Sequence, residues 1–180
     1  MILALYDHPD GVQTESGDHV VYDLARDEAR FGAAQVEGHA LRWELAGAEP
    51  EPGARLAAEV ELDRGREWVV RCDRIDFPPG GVAYTHTHPG PGIRCLLFGS
   101  ILIQSGGSTH AYGPLQPWFE SGPEPVFAAA SETEATAFVR VMLLPREWEG
   151  RRTIRYVDPA DEDKPKLQRP TVFFDRPLVL

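Results

Sequence analysis

Asparagine is absent from this chain of 180 residues, cysteine and methionine occur twice each, and lysine occurs only at Lys164 and Lys166. Each scarcity removes a class of explanation. Without asparagine, left-handed turns fall mainly to the 17 glycines. Cys72 and Cys95 both sit in apolar, strand-like runs, which suits small buried thiols better than a disulfide framework, and two cysteines make no Cys-rich metal site. The net charge of −10 and the missing lysine stripe argue against nucleic acid as a partner. No run approaches the ~18 apolar residues of a membrane span, and the start from Met1 to Pro9 lacks the basic head and apolar stretch of a secretion signal. The expectation is a soluble, cytoplasmic protein with no membrane partner. No nucleophile motif, phosphate loop or internal repeat is present.

What is there is strand-forming. With 42% apolar residues the chain supports one globular domain with flanking segments. Residues 1–58 carry 11 acids against Arg26, Arg30, Arg42 and Arg55, a balance that a solvated acidic face explains. Their apolar pieces, Met1 to Tyr6, Val20 to Leu24 and Leu41 to Leu45, predict short strands, with one helical turn near Leu24 to Phe31. Glu49-Pro50-Glu51-Pro52-Gly53 marks a boundary. From Leu56 the texture becomes strand-length runs at regular spacing, the pattern of an all-β sandwich or barrel. Strands are expected at about Ala57 to Leu62, Glu67 to Phe77, Val82 to His88, Ile93 to Gln104, Ser108 to Tyr112, Trp118 to Glu120, Pro125 to Ala129 and Thr136 to Leu144. Two more are expected in the tail, Thr153 to Val157 and Thr171 to Phe174, docked on the same barrel or on a partner subunit. The division is therefore an acidic extension (1–56), a β-barrel (57–145) and a C-terminal arm (146–180).

The richest stretch for chemistry is Phe77 to Gly92, an H-x-H pair entered and left through glycine and proline. Side chains alternate faces along a strand, so His86 and His88 point the same way, about 6.6 Å apart at ~3.3 Å per residue. Two imidazoles aimed into one space are half of a metal shell, because a tight site needs three or more protein ligands.

The spacing around that pair resembles the cupins, jelly-roll barrels with metal sites in the barrel mouth. Their first motif reads glycine, five residues, H-x-H, three or four residues, glutamate, six residues, glycine. Here Gly80, His86, His88, Gly92 and Gly99 hold those places, with Gly92 where the glutamate belongs. The run Tyr112 to Pro123 resembles the approach to the second motif, which should deliver a third histidine. The corresponding stretch is Pro125 to Ala130, with Val126 at the expected place, and no histidine follows His110. The resemblance implies an all-β double-stranded β-helix, or jelly roll, between an N-terminal extension and a C-terminal arm. It also implies a metal site with two of its four usual ligands replaced.

Two residues compete to explain the replacement. Glu120 beside the second-motif turn is the candidate third ligand, which with His86 and His88 would suit iron, zinc, manganese or nickel; an ordinary turn acid is the alternative. Arg94 faces inward if strand parity holds from residue 92, where it would pair with Glu120 or anchor a substrate anion; a bulge would send it to solvent. By the same parity Tyr84 and Trp118 would wall a substrate pocket, though core packing explains both equally well. His8, His19, His39 and His110 have no partner at ligand spacing, with His110 a distant candidate for the rim. Two functions follow. One is a metal-dependent oxygenase or isomerase acting on a small acidic metabolite; the other is a metal-free sensor or binding protein for an organic anion. Barrels of this type pair through edge strands or exchanged arms, so a homodimer is expected.

Overall fold

Alternating apolar and polar residues build most of this chain, and where both faces of a strand are covered the alternation gives way to continuous burial. The computed structural model describes residues 1–47 and 49–180. The first seven strands are β1 (Ile2–His8), β2 (Val12–Thr14), β3 (His19–Asp23), β4 (Glu28–Phe31), β5 (Ala34–Val36), β6 (Ala40–Ala46) and β7 (Leu56–Glu59). Eight follow in close succession: β8 (Trp68–Phe77), β9 (Val82–Thr87), β10 (Gly92–Phe98), β11 (Ile101–Ser105), β12 (Ser108–Tyr112), β13 (Pro117–Glu120), β14 (Val126–Ala130) and β15 (Thr136–Pro145). The tail adds β16 (Arg155–Tyr156) and β17 (Arg169–Leu178). Short 3-10 turns at Arg146–Trp148 and Pro159–Asp163 are the helical elements among the described residues, and no helix is long and apolar enough to cross a membrane.

Strands β8 to β15 are dealt between two antiparallel sheets, in the orders β13-β10-β15-β8 and β12-β11-β14-β9. That is the two-Greek-key order of a jelly roll. The tail extends both sheets, β17 on the edge beside β8 and β16 on the edge beside β9. The inner faces of the two sheets meet on Phe77, Leu96, Ile101, Trp118, Val126 and Phe138.

The first 60 residues are a third layer. Strands β4-β3-β6-β1-β7 form their own sheet, and Leu3, Leu5, Tyr22 and Trp43 pack on Cys72, Ile93, Val139 and Val141 from the outer face of the first jelly-roll sheet. The indole of Trp43 donates to the carbonyl of Ile93 at 3.2 Å. Each such fully buried side chain contributes ~1.5–3 kcal/mol. Covered on both faces, β15 is buried at all ten positions. The extension is thus a complete sheet, and β7, expected to open the barrel, pairs with β1 instead. The helical turn expected over Leu24 to Phe31 is the β3–β4 hairpin, closed by Asp23 accepting from the amides of Ala25 and Arg26. Both cysteines are free and buried.

Ile93 to Gln104 is two strands where one was expected. Gly99 sits at φ 79°, the left-handed region, and a Cβ there would lie 2.8 Å from the Cα of Thr136. Glycine is required and the chain turns.

The tail is pinned by a buried ion pair. Arg71, on the inner face of β8, reaches Asp175 of β17 through Nε and Nη2 at 2.6 and 2.7 Å, and donates to the carbonyls of Arg151 and Trp148 at 2.7 and 3.2 Å. The amide of Gly150 donates to the same carboxylate at 2.8 Å. Burial works to raise the Asp175 pKa, but the bonds from Arg71 and Gly150 outweigh it and hold the carboxyl below its usual 3.8. Stability from this carboxylate is therefore present above the ordinary range and is lost as pH falls through the lowered value. Asp175→Ala leaves the Arg71 guanidinium buried without its partner, so urea denaturation should show a loss of about 3–5 kcal/mol. A loss below about 1 kcal/mol would mean the tail is not held this way.

Candidate ligand site on the His86–His88 pair

The two histidines reach one space through an irregularity in β9. Val126 pairs with His86 and Ala128 with Ala83, so three residues of β9 span two of β14, a bulge. The bulge keeps both Ala83 and His86 inward and sends the two residues between them, Tyr84 and Thr85, elsewhere. Tyr84 accordingly leaves the pocket, and its ring lies under the Lys164 ammonium at 4.5 Å. The expectation from unbroken parity fails there.

Each imidazole is tied by Nδ1 to a backbone carbonyl, His86 to Tyr84 at 2.7 Å and His88 to Thr153 at 3.3 Å. A carbonyl only accepts, so Nδ1 carries the hydrogen and Nε2 is left as an acceptor. Those two Nε2 atoms face each other at 3.2 Å. Both residues are 4% exposed, and burial lowers the pKa of each. For His88 the shift is large, with Arg140 and Arg94 adding to it.

Around the pair lie charges that are buried and matched. Arg94 is fully buried on β10, so the parity from Gly92 holds; the register slips only after Leu96. Its Nη1 donates to the Gly92 carbonyl at 2.6 Å, and its Nη2 lies 2.7 Å from Glu120 Oε2. Neither of those last two atoms makes a hydrogen bond of acceptable angle, so the contact is an ion pair by distance and charge and not a directed bond. Glu120 Oε1 accepts from the Trp118 indole at 2.8 Å, and Oε2 lies 3.7 Å from His88 Nε2. Arg140, on β15, grips Asp73 of β8 with Nε and Nη2 at 2.6 and 2.9 Å, leaving Nη1 3.4 Å from His88 Nε2.

These groups open onto a cavity of about 500 Å³, the size of a small-molecule site. One wall is apolar, with Ile75, Phe77, Ile103, Val126, Ala128 and Phe138. The rest carries Arg71, Arg140, Arg151, Arg152 and Lys166 with Asp73 and Glu120, and Arg71 and Arg152 pair with Asp175 and Glu162 beyond the lining. The arm supplies much of this, since Gly150 to Ile154, Lys166 and Gln168 all line the cavity. The Lys166 ammonium is occupied, donating to the carbonyls of Asp161, Glu162 and Lys164.

Of the expected site residues, the structure brings His86, His88 and Glu120 together on the cavity. Arg94 and Trp118 stand behind them: Arg94 has no surface to offer a ligand, and Trp118 is core, stacked on Tyr112 at 5.0 Å. Both act on Glu120, which they position. His110 lies on exposed β12, away from the site. Sequence reasoning missed Asp73, Arg140, Arg71 and the arm. The signal was available for the first three, as charged residues among the apolar ones of Trp68–Phe77 and Thr136–Pro145.

Gly92 stands where the cupin glutamate was expected, and the reason is steric. A Cβ there would overlap the Val141 carbonyl and lie 2.9 Å from Met142 Cγ. At the other replaced position, Val126 is buried and part of the apolar wall.

The donor set fits a divalent ion in part. Two nitrogens 3.2 Å apart, each with its second nitrogen fixed by a carbonyl, match imidazole ligation at about 2.1 Å per bond. Among the described residues, however, no three His, Cys, Asp or Glu side chains are arranged to hold a metal. Glu120 Oε2, buried and without a hydrogen-bond partner, is the nearest carboxylate oxygen, and Arg94 holds it.

The lowered histidine pKa values set a pH dependence for chelator-treated protein. Below about pH 6.5 the unfolded chain takes up protons that the native pair refuses, so stability should fall as pH drops from 8 to 5. Urea midpoints should show that slope, and His88→Gln should make it shallower. A stability that stays flat or rises toward pH 5 would contradict the neutral, lone-pair-facing arrangement.

No family model matches the chain, and no curated protein matches it. Similar solved structures are the polyketide cyclase RemF from Streptomyces resistomycificus, an RmlC-like cupin from Shewanella frigidimarina, and oxalate oxidase in complex with the substrate analogue glycolate. The first is 21% identical, over 52% of this chain and 62% of the cyclase, with a TM-score of 0.41. The second is 14% identical, over 49% of this chain and 84% of the cupin, with a TM-score of 0.40. The third is 14% identical, over 86% of this chain and 87% of the oxidase, with a TM-score of 0.38. The match thus spans less than two thirds of the cyclase. Strand order carries the fold assignment: β8 to β15 make a jelly roll.

Proposed function

We propose that this cavity binds a divalent metal ion through His86 and His88 and takes a small acidic ligand beside it. The observation that carries the reading is the pair of Nε2 lone pairs facing each other at 3.2 Å, with both Nδ1 atoms committed to carbonyls. Two such lone pairs at that distance repel unless a proton or a cation lies between them, and the donor beside them, Arg140 Nη1, stands off at 3.4 Å from His88 Nε2. Burial and the neighbouring guanidiniums disfavour the proton. A metal is the cation that fits. When bound, it would polarise ligand oxygens or activate water or dioxygen.

The protein's own groups have defined parts. Tyr84 and Thr153 carbonyls fix the imidazole tautomers. Glu120 is the third ligand if it exchanges Arg94 for the metal; otherwise ligand oxygens or water complete the shell. The apolar wall and the arm exclude water. In its enzymatic form the reading is an oxygenase or isomerase of a small acidic metabolite.

A second reading has its own observation. The Arg94 and Arg140 guanidiniums both approach the pair, which discourages any cation, and Glu120 is already an ion-pair partner. On that reading the site is a metal-free pocket for an organic anion.

Elemental analysis of untagged protein separates the two. The metal reading predicts stoichiometric metal that His86→Ala abolishes. It also predicts that adding the preferred ion at 100 times its dissociation constant raises stability by about 2.7 kcal/mol. Metal-free protein whose melting point ignores iron, zinc, manganese and nickel would overturn it. Glu120→Gln should weaken, but not abolish, retention if Glu120 is a ligand.

A further inference from the structure

The free edge of the second jelly-roll sheet is unlike the other edges of the molecule. In the order β12-β11-β14-β9-β16, β12 has no neighbour on its outer side, and Ser108 to Ala111 are exposed. A bare edge is a template for another strand, and proteins guard such edges with charge, proline or shortness. The other edge strands of four or more residues are guarded: β4 by Glu28 and Arg30, β7 by Glu59, β13 by Pro117, and β17 by Pro170 and Pro177. β12, Ser-Thr-His-Ala-Tyr, has neither charge nor proline.

The gap in charge is wider than the strand. From Cys95 to Phe119 the chain has no Asp, Glu, Lys or Arg, although 26% of all its residues are charged. Two copies of a molecule of net charge −10 repel over most of their surfaces, so a charge-free edge is where they can meet.

The hairpin fixes which groups face outward. β11 and β12 run in unbroken register from Ser105↔Ser108 to Ile101↔Tyr112, closed by Gly106 and Gly107 at φ 57° and 74°, the two positive values of a type I′ turn. In such a hairpin the closing pair exchanges both hydrogen bonds, and bonded pairs then alternate with unbonded ones. Ser108, His110 and Tyr112 are thus bonded to β11, while the amides and carbonyls of Thr109 and Ala111 point away from it. No other described segment meets those four groups.

We infer that β12 pairs with β12 of a second copy of this chain, antiparallel about a two-fold axis at His110, joining two five-stranded sheets into one. That register sets Thr109 opposite Ala111 of the second copy, and Ala111 opposite Thr109 of the second copy, so every outward group is used. An axis at Thr109 or Ala111 would instead set the other residue against Gly107 or Gly113, beyond the ends of the strand. The contact lies away from the cavity and is independent of what the cavity binds.

Sedimentation equilibrium of the full chain at about 100 μM tests the contact, because an interface built on one short strand belongs to the weaker class. Wild type should be dimeric. Ala111→Pro and Thr109→Glu should each be monomeric with unchanged circular dichroism, since the proline removes an amide that β11 does not use and the glutamate restores the missing guard. Cysteine crosslinking reads the register. Opposite residues of an unbonded pair lie about 4.5 Å apart at Cα, within disulfide range, so His110→Cys should oxidise to a covalent dimer. Thr109→Cys should not, because the two copies of that position lie diagonally, about 7–8 Å apart. Cys72 and Cys95 are buried, and wild type serves as the blank. A monomer at that concentration overturns the inference and leaves the edge to a strand from a different protein. A dimer that survives both edge variants, or that crosslinks through Thr109→Cys as readily as through His110→Cys, overturns it as well.

Discussion

A row of charges across the inner face of one sheet organises this molecule. Asp73 on β8, Arg140 on β15 and Arg94 on β10 are paired in register on three neighbouring strands, and all three are buried. One carboxylate against two guanidiniums leaves a positive charge over, and Glu120 from β13 supplies the balance at 2.7 Å from Arg94. Removing any member would strand a charge in the interior, at a cost of several kcal/mol. That constraint also bears on the histidine pair, because burial first, and then the same guanidiniums, lower the His88 pKa and disfavour its protonated form.

The N-terminal sheet makes such a row possible. By covering the outer face of the β13-β10-β15-β8 sheet it takes over the apolar packing, with Trp43 and Leu5 against Ile93 and Val139. The inner face is then free to carry polar groups without emptying the core. The arm completes the arrangement from the other side. It supplies the Thr153 carbonyl to His88 and is fastened by Arg71 and Asp175.

Much of this was legible in the chain. Glycine and proline punctuation marked out strands β8 to β15, with β10 and β11 read as one, and the H-x-H spacing located the pair on the cavity. Local periodicity could not reveal that β9 bulges between Ala83 and His86, because the bulge is set by pairing with β14, and so Tyr84 was placed in a pocket it leaves. Arg94 was open between interior and solvent because its fate depended on Glu120, 26 positions away and on another strand. The extension was hard to read because its strands are three to seven residues long and acquire their burial only from the jelly-roll face they cover. Arg140 carried a clear signal, a charge inside the run from Phe138 to Leu144. Its meaning lies in a partner 67 residues away, Asp73, which no local pattern shows.

The central claim is that two neutral imidazoles share one cation. Electron paramagnetic resonance of protein loaded with one equivalent of copper(II) tests it most directly, because superhyperfine splitting counts the nitrogens on the metal. The account predicts a bound signal split by two imidazole nitrogens, reduced to one in His88→Gln and in His86→Gln. A spectrum of free or oxygen-ligated copper, identical in wild type and both variants, would contradict it.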